Sequence, residues 1–184
     1  MQLDEREFEV LAETIFRKRT IQRGIMNATT VSAAQDAIVS EIQIAAPPER
    51  VFKALTDAGE LRRWFGSPEC PLKTWEMDAR LGGKYSYATE KGTIVVNGVS
   101  RFECHGEIIE YDPPRLLTYT WQGNWHDDLK IPTTVSWELT PAKGGTHVKV
   151  THSGLASLPI ARADYSGGWP GVVEMLKKFV ESPA

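Results

Sequence analysis

The histidine at position 152 is the residue best suited to acid–base chemistry, because an imidazole titrates close to neutral pH. It follows Val148 and Val150 in an alternating run, which places all three side chains on the inner face of a strand. Two roles fit this position. The one we favour is a neutral, buried imidazole held by a hydrogen bond. The alternative is a general acid–base or an anchor for a ligand.

Catalysis by a serine triad is disfavoured. Ser153 and Asp164 follow His152 in the chain, but the sequence has no Gly-x-Ser-x-Gly segment, which would expose a nucleophile at a strand-to-helix turn. A different enzyme, which pairs His152 with a pocket tyrosine such as Tyr85 or Tyr119, stays open as an alternative.

The run His126-Asp127-Asp128 contains residue types that bind metals. A transition-metal site needs further ligands at matched spacing, and no second ligand pair accompanies this run. We therefore interpret residues 123–130 as a solvated loop, and we expect no metal ion and no cofactor.

Large aromatic side chains recur on the inward phase of the predicted strands. They can fill a packed core, which is the simpler interpretation, or they can line a pocket with apolar walls and a few hydrogen-bonding tips. Both interpretations hold together if the sheet leaves space at an open end. The residues that we expect around such a cavity are Trp64, Trp75, Tyr85, Tyr87, Phe102, Tyr119, Trp121, Trp137, His152, Trp169 and Val173.

A sheet is needed to position these side chains. Residues 38–44 alternate between apolar and polar, as a half-buried strand does. Two short helices follow, the first beginning near Pro48 and the second ending at Gly66. Short turns then separate the later strands, which favours an antiparallel meander. Those strands are predicted at residues 72–78, 84–89, 99–111, 116–121, 133–139 and 146–152.

A helix is predicted at residues 168–181, after a long connection at residues 154–168. Its apolar residues recur at intervals of three and four, so they form one stripe, and Pro170 suits a first helical turn. The stripe needs a partner surface. The predicted fold is α+β: a curved antiparallel sheet of six to seven strands around this C-terminal helix, with a cavity of about 300 Å³ or more between them.

Composition limits the possible functions. The net charge of −3 disfavours nucleic acid as the main partner, and no apolar run approaches the length of a membrane span. The two cysteines, Cys70 and Cys104, form no Cys-x-x-Cys pair, which favours a reducing cytoplasm. Residues 1–36 are predicted to be an N-terminal extension with a helix at residues 3–19. Met26 is a second candidate start, in which case residues 1–25 are an upstream addition.

Several segments resemble a known family when their order and spacing are taken together. Residues 37–182 resemble the START-like (SRPBCC) superfamily, and within it the branch named after the activator of heat-shock-protein-90 ATPase. The resemblance implies a helix-grip domain at residues 37–184. The matching segments are Pro48–Thr56, Trp64-Phe65, the Asp-x-Arg-x-Gly-Gly turn at Asp78–Gly83, Gly106–Glu110, Pro113–Leu116, Thr151–Leu155 and Gly168-Trp169.

The resemblance implies fold more firmly than function, because proteins of this fold bind apolar molecules or assist a chaperone. We expect a cytoplasmic domain that binds an apolar small molecule between the sheet and the C-terminal helix. One alternative is a co-chaperone or stress-related role with a protein partner. Another is a cyclase- or hydrolase-like enzyme that uses the same cavity. Neither nucleic acid nor a membrane span is expected, and both a monomer and a homodimer fit.

Overall fold

Eight strands and three helices make up the fold in the computed structural model, which describes residues 29–31 and 36–183. In chain order they are β1 (Thr29–Val31), β2 (Ile38–Ile44), α1 (Pro48–Thr56), α2 (Ala58–Trp64), β3 (Leu72–Met77), β4 (Lys84–Thr89), β5 (Glu103–Asp112), β6 (Leu116–Gly123), β7 (Thr133–Ala142), β8 (Gly145–Ser153) and α3 (Pro159–Glu181).

All strands belong to one antiparallel sheet in the order β1-β2-β8-β7-β6-β5-β4-β3. Buried residues alternate with more accessible ones along β7 and β8, because successive side chains point to opposite faces. The sheet curls around α3. The predicted α+β helix-grip fold is therefore confirmed.

The N-terminal edge of the sheet differs from the prediction. β1 pairs with β2 and lies inside the segment predicted to be an extension. Three residues are too few to show a strand period in a sequence. The predicted helix at residues 3–19 and the second start at Met26 fall outside the described residues.

The C-terminal helix begins at Pro159 rather than at Gly168, so the predicted connection at residues 154–168 is wrong. The apolar stripe continues backwards from Trp169 through Tyr165 and Ala161, at intervals of four residues, and all three are buried. Glycines at 167 and 168 hide this pattern because glycine disfavours a helix interior. Pro170 lies inside the helix, where packing against the sheet outweighs its missing N–H.

Three strands contact the helix through one side chain. The Trp169 ring lies 5.7 Å from the rings of both Trp137 on β7 and His152 on β8, and 6.1 Å from Trp121 on β6. These contacts fix α3 across the inner face of the sheet. Among residues 36–183, no helix has the length and apolar character needed to cross a membrane.

Gly106 on β5 allows a close approach that the inner face requires. A Cβ atom at this position would lie 1.8 Å from the Thr120 carbonyl oxygen and 2.7 Å from the Tyr85 ring. The Tyr85 hydroxyl donates to that same carbonyl at 2.8 Å. Only a glycine therefore lets the Tyr85 ring lie across β5.

We predict that Gly106→Ala destabilises the fold by at least about 2 kcal/mol, because the added methyl group meets backbone that cannot move without breaking the β5–β6 pairing. Urea unfolding followed by circular dichroism measures the change. Gly167→Ala is the matched control, since a Cβ there has nothing within 4 Å. This control should leave stability unchanged or raise it by up to about 1 kcal/mol. Equal effects of the two substitutions would contradict the steric explanation.

Candidate functional site

The predicted cavity residues lie together on the inner face of the sheet and on the helices that cover it. Each of them is buried, and none is more than 7% exposed. Trp64 comes from α2, Phe102 precedes β5, and Trp169 and Val173 come from α3. Their role in binding a ligand stays a prediction.

Direct ring contacts join most of these residues. Trp75 lies parallel to Tyr87, with centroids 4.9 Å apart and an interplanar angle of 9°. Trp121 is at the centre, 5.5 Å from Tyr87, 6.1 Å from Tyr119 and 6.0 Å from His152. Offset and edge-to-face contacts of this kind stabilise an interior beyond the area that they bury. We call this connected set the aromatic face; its residues are Trp75, Tyr85, Tyr87, Tyr119, Trp121, Trp137, His152 and Trp169.

All six tryptophans of the chain are buried, and five of the six indole N–H groups have an acceptor. The acceptors are the Ala54 carbonyl for Trp64, the Tyr165 hydroxyl for Trp121, Asp164 for Trp125, the Tyr119 hydroxyl for Trp137 and His152 for Trp169. Trp75 is the exception: its Nε1 is buried and has no partner among the described residues.

The two tyrosines considered for catalysis use their hydroxyl groups elsewhere. The Tyr85 hydroxyl donates to the Thr120 carbonyl at 2.8 Å, and the Tyr119 hydroxyl accepts the Trp137 indole N–H at 2.8 Å. Burial raises the pKa of both phenols, so both are protonated at neutral pH. Neither hydroxyl bonds to His152, and the geometry does not assemble a pair of catalytic groups from these residues.

His152 is fully buried and bonded through both ring nitrogens. Thr133 Oγ1 donates to the Trp121 carbonyl at 2.9 Å, so it accepts from His152 Nε2 at 2.6 Å. The other nitrogen, Nδ1, accepts the Trp169 indole N–H at 3.1 Å. Burial and, to a lesser degree, nearby His126 hold the pKa of His152 well below its usual value, so the imidazole is neutral. This geometry agrees with the favoured interpretation.

Residues 125–127 connect to α3 through three consecutive side chains, and we call them the clasp. Trp125 Nε1 donates to Asp164 at 3.0 Å, and His126 Nε2 lies 2.7 Å from the Tyr165 hydroxyl. Asp127 accepts from the backbone N–H groups at the start of α3, those of Ile160 and Ala161, both at 3.0 Å. A carboxylate there satisfies unpaired N–H groups and complements the helix dipole.

The prediction of a solvated loop is therefore wrong for His126, which is 3% exposed. Trp125 beside it is equally buried, and an indole in an otherwise polar loop was the signal that could have revealed this contact. Tyr165 was missed for a related reason: it lies four residues before Trp169, inside the segment that was predicted to be a connection.

Asp164 is half-buried at the edge of the aromatic face. Burial raises its pKa to about 6, while the hydrogen bond from Trp125 acts in the opposite direction. This carboxyl group therefore changes between neutral and ionised forms around pH 6. It bonds to Trp125 rather than to His152, so these residues form no catalytic triad.

The family model described as Activator of Hsp90 ATPase homolog 1-like protein matches residues 45–181. This match covers well over half of the chain. The chain belongs to this family. The resemblance inferred from the sequence segments is thus confirmed, and the comparison with curated proteins found no match.

Solved structures share the fold of this AHSA1-like chain. A protein from Chromobacterium violaceum has a TM-score of 0.68 and 25% identity, over 80% of this chain and 99% of that one. A protein from Mesorhizobium loti gives 0.62 and 25%, over 79% and 96%. An AHSA1-like protein from Aeromonas hydrophila gives 0.61 and 22%, over 79% and 92% of the two chains. At 22% identity, the similarity to the Aeromonas hydrophila protein shows only that the fold is shared.

The Asp-x-Arg-x-Gly-Gly segment of this AHSA1-like chain forms a turn between β3 and β4. Arg80 contacts Asp78 at 2.8 Å on the protein surface. Gly82 adopts a φ of 74°, and a Cβ on Gly83 would lie 1.9 Å from the Asp78 carbonyl oxygen. The segment therefore shapes the backbone, and its charged residues lie outside the aromatic face.

We predict that His152→Leu lowers the free energy of unfolding by about 2–3 kcal/mol at pH 7, because the Trp169 N–H loses its acceptor inside the core. The wild-type chain should also lose stability as the pH falls below 6.5, since the unfolded imidazole binds a proton that the folded one refuses. His152→Leu should make that decline shallower. Urea unfolding at several pH values tests both points, with exposed His105→Leu as the control. Equal effects of the two leucine substitutions would contradict the structural role.

A second prediction concerns Asp164, whose pKa is raised by burial, whereas the pKa of His152 is lowered. The folded chain holds this proton up to a pKa of about 6, whereas the ordinary value is 3.8, so the contribution to stability is largest at low pH and declines as the pH rises through 6. Asp164→Asn should therefore stabilise the chain by about 1–3 kcal/mol at pH 8. The gain should vanish near pH 4. Exposed Glu76→Gln is the control, and a gain independent of pH would contradict this assignment.

Proposed function

We propose that this AHSA1-like chain binds an apolar small molecule at the aromatic face, between the sheet and α3. The observation that supports this most strongly is the composition of that face. It joins aromatic rings from β3, β4, β6, β7 and α3, and it includes hydrogen-bonding tips, as small-molecule sites do.

The ligand would reach the aromatic face where three segments of the chain are bonded to one another. The Asn97 side chain donates to the carbonyl groups of Trp125 and His126, each at 3.3 Å, and the clasp in turn bonds to the start of α3. These segments carry four exposed apolar residues, which would favour the approach of an apolar ligand. They are Ile94, Val95, Leu129 and Ile160.

Binding at the aromatic face requires some ring contacts to separate. Neighbouring centroids lie between 4.2 Å, for His152 and Tyr165, and 6.4 Å, for Trp121 and Tyr165, so the rings contact one another directly. The predicted cavity of about 300 Å³ stays a prediction. A bound ligand would replace the ring–ring contacts that it separates with apolar contacts of its own.

A protein-interaction role is the second candidate, because two large apolar residues are exposed on two segments that are hydrogen-bonded to each other. Leu81 is 64% exposed and Ile109 is 44% exposed. Their neighbours are bonded to each other, with the Gly82 N–H donating to the Ile108 carbonyl at 2.8 Å. This pair would suit a protein partner such as a chaperone. The enzyme alternative has no comparable support, since His152 has both nitrogens bonded within the core.

A cytoplasmic location is part of the proposal. Both cysteines are free, and Cys104 lies buried beside the Tyr85 hydroxyl, so the fold does not depend on a disulfide. Free thiols suit a reducing compartment.

We expect native mass spectrometry of the freshly purified full chain to show a peak heavier than the apo chain by the mass of a small molecule, and denaturation should release that molecule. A thermal-shift screen with lipids and aromatic compounds should then identify stabilising ligands. Tyr87→Leu should weaken binding because it removes a ring of the aromatic face. Leu81→Ser is the surface control and should bind as the wild type does. A clean apo mass together with no thermal shift would contradict small-molecule binding.

A further inference from the structure

The unpartnered indole of Trp75 restricts which molecules can bind the aromatic face. This side chain is 1% exposed, and it lies between Phe65, Tyr85 and Tyr87, whose ring centroids are 4.7, 6.1 and 4.9 Å away. An indole N–H can only donate a hydrogen bond. A buried donor without an acceptor is rare in a native protein and calls for a specific explanation. The other five indole N–H groups of the chain all have acceptors. The fold therefore pairs its indoles as a rule, and Trp75 is the exception that needs an explanation.

His126 provides a second unpartnered nitrogen, and the hydrogen bonds around it define its protonation. The Tyr165 hydroxyl already accepts the Trp121 N–H at 2.8 Å, so its own hydrogen is directed to His126 Nε2 at 2.7 Å. In the neutral imidazole the proton then resides on Nδ1, which is buried and has no partner in regular hydrogen-bond geometry among residues 36–183. The opposite tautomer would leave both Nδ1 and the Tyr165 hydrogen unpaired.

The charge of the imidazole supports this assignment. Burial lowers the pKa of His126, whereas Asp127 and the Ile131 carbonyl, which lies near the imidazole but outside regular hydrogen-bond geometry, raise it to a lesser extent. The neutral form therefore predominates at pH 7. The two unpartnered nitrogens of the interior are thus both hydrogen-bond donors without a full charge.

The surroundings disfavour an anionic ligand. Burial is the main reason that the pKa of the Tyr87 phenol is raised, and the titratable groups near it, Cys104, Tyr165, Cys70 and Asp164, are all acids. The buried polar residues in the described part of the chain include no lysine and no arginine. A carboxylate placed at this face would lose its hydration without gaining a cation, which costs several kcal/mol or more.

We infer that the ligand of the aromatic face is a neutral apolar molecule with an acceptor oxygen, in the simplest case a ketone, whose oxygen accepts from Trp75 Nε1 or His126 Nδ1. This inference rests on the proposed function and goes beyond it, because it specifies the polar chemistry that the ligand must carry. One such hydrogen bond, inside a site where the donor is otherwise unpaired, should favour the ketone about fivefold to tenfold over the matching hydrocarbon.

The experiment compares three probes of one shape with the full chain: 2-acetylnaphthalene, 2-ethylnaphthalene and 2-naphthoate. Dissociation constants come from isothermal titration calorimetry at pH 7.5. The expected order is the ketone tightest, the hydrocarbon about fivefold to tenfold weaker, and the carboxylate weakest of the three.

Two variants then locate the donor. Trp75→Phe and His126→Phe each remove one unpartnered N–H and keep an aromatic ring, and at least one of them should reduce the ketone preference to below about twofold. Trp137→Phe is the matched control, since its indole N–H is already bonded to Tyr119. It should keep the preference whatever its overall affinity. Circular dichroism confirms the folding of each variant.

A measurement on the wild-type chain covers the case in which a variant does not fold. With ¹⁵N-labelled tryptophan, the ketone should move one indole N–H resonance downfield, and the hydrocarbon should not. A shift of the His126 ring nitrogens, read from ¹⁵N-labelled histidine, is the corresponding signal for the second donor.

The other outcomes overturn specific statements. Equal affinity for ketone and hydrocarbon in the wild type overturns the inference but leaves small-molecule binding in place. Retention of the preference in both phenylalanine variants overturns the assignment of the donors. Tightest binding of 2-naphthoate overturns the neutral ligand class. If none of the three probes binds, the proposed function fails, and the inference fails with it.

Discussion

Pairing of polar groups inside an aromatic interior is the constraint on which the rest of this structure depends. Indoles, phenols and imidazoles bury much apolar area, but each brings a polar atom that must find a partner or impose a penalty of about 1–3 kcal/mol. The chain meets this demand across secondary-structure boundaries. A series of bonds runs from Trp169 to His152, then to Thr133, and ends at the Trp121 carbonyl.

These bonds determine how the helix sits on the sheet. Trp121 receives the end of that series at its carbonyl, and it donates from its indole back to Tyr165 on α3. Rotation of α3 by one residue would move Tyr165 and Trp169 away from their partners together. The hydrophobic effect brings the helix to the sheet without preferring a direction, and the hydrogen bonds select one orientation from those that bury similar area.

Periodicity in the sequence was sufficient to predict most of the sheet and the inward direction of His152. It was insufficient where structure depends on distant segments. The start of α3 is capped by Asp127, more than thirty positions away in the chain, and Leu158 at the cap position makes no side-chain bond of its own. A local pattern cannot reveal such a cap. The burial of His126 was hidden for the same reason, since its partner is a tyrosine on another element.

In the candidate site too, the strand period predicted some features, and contacts between distant segments decided the others. Alternation along the strands identified the aromatic face, because inward positions on a half-buried sheet are fixed by the period of two. The partner of each polar atom followed from three-dimensional packing, so the exceptional position of Trp75 among the indoles could not be read from the sequence. Gly106 is another such case, because its role depends on the Tyr85 ring of a neighbouring strand.

The cap supplied by Asp127 has a consequence for how the native state fluctuates. The N–H groups at the start of α3 donate to a side chain in a loop, Asp127. The glycines at 167 and 168 disfavour helix formation between these first turns and the rest of α3. We therefore expect the leading segment of α3 and residues 125–127 to open together, so that their amide protons exchange with solvent ahead of those in the trailing half.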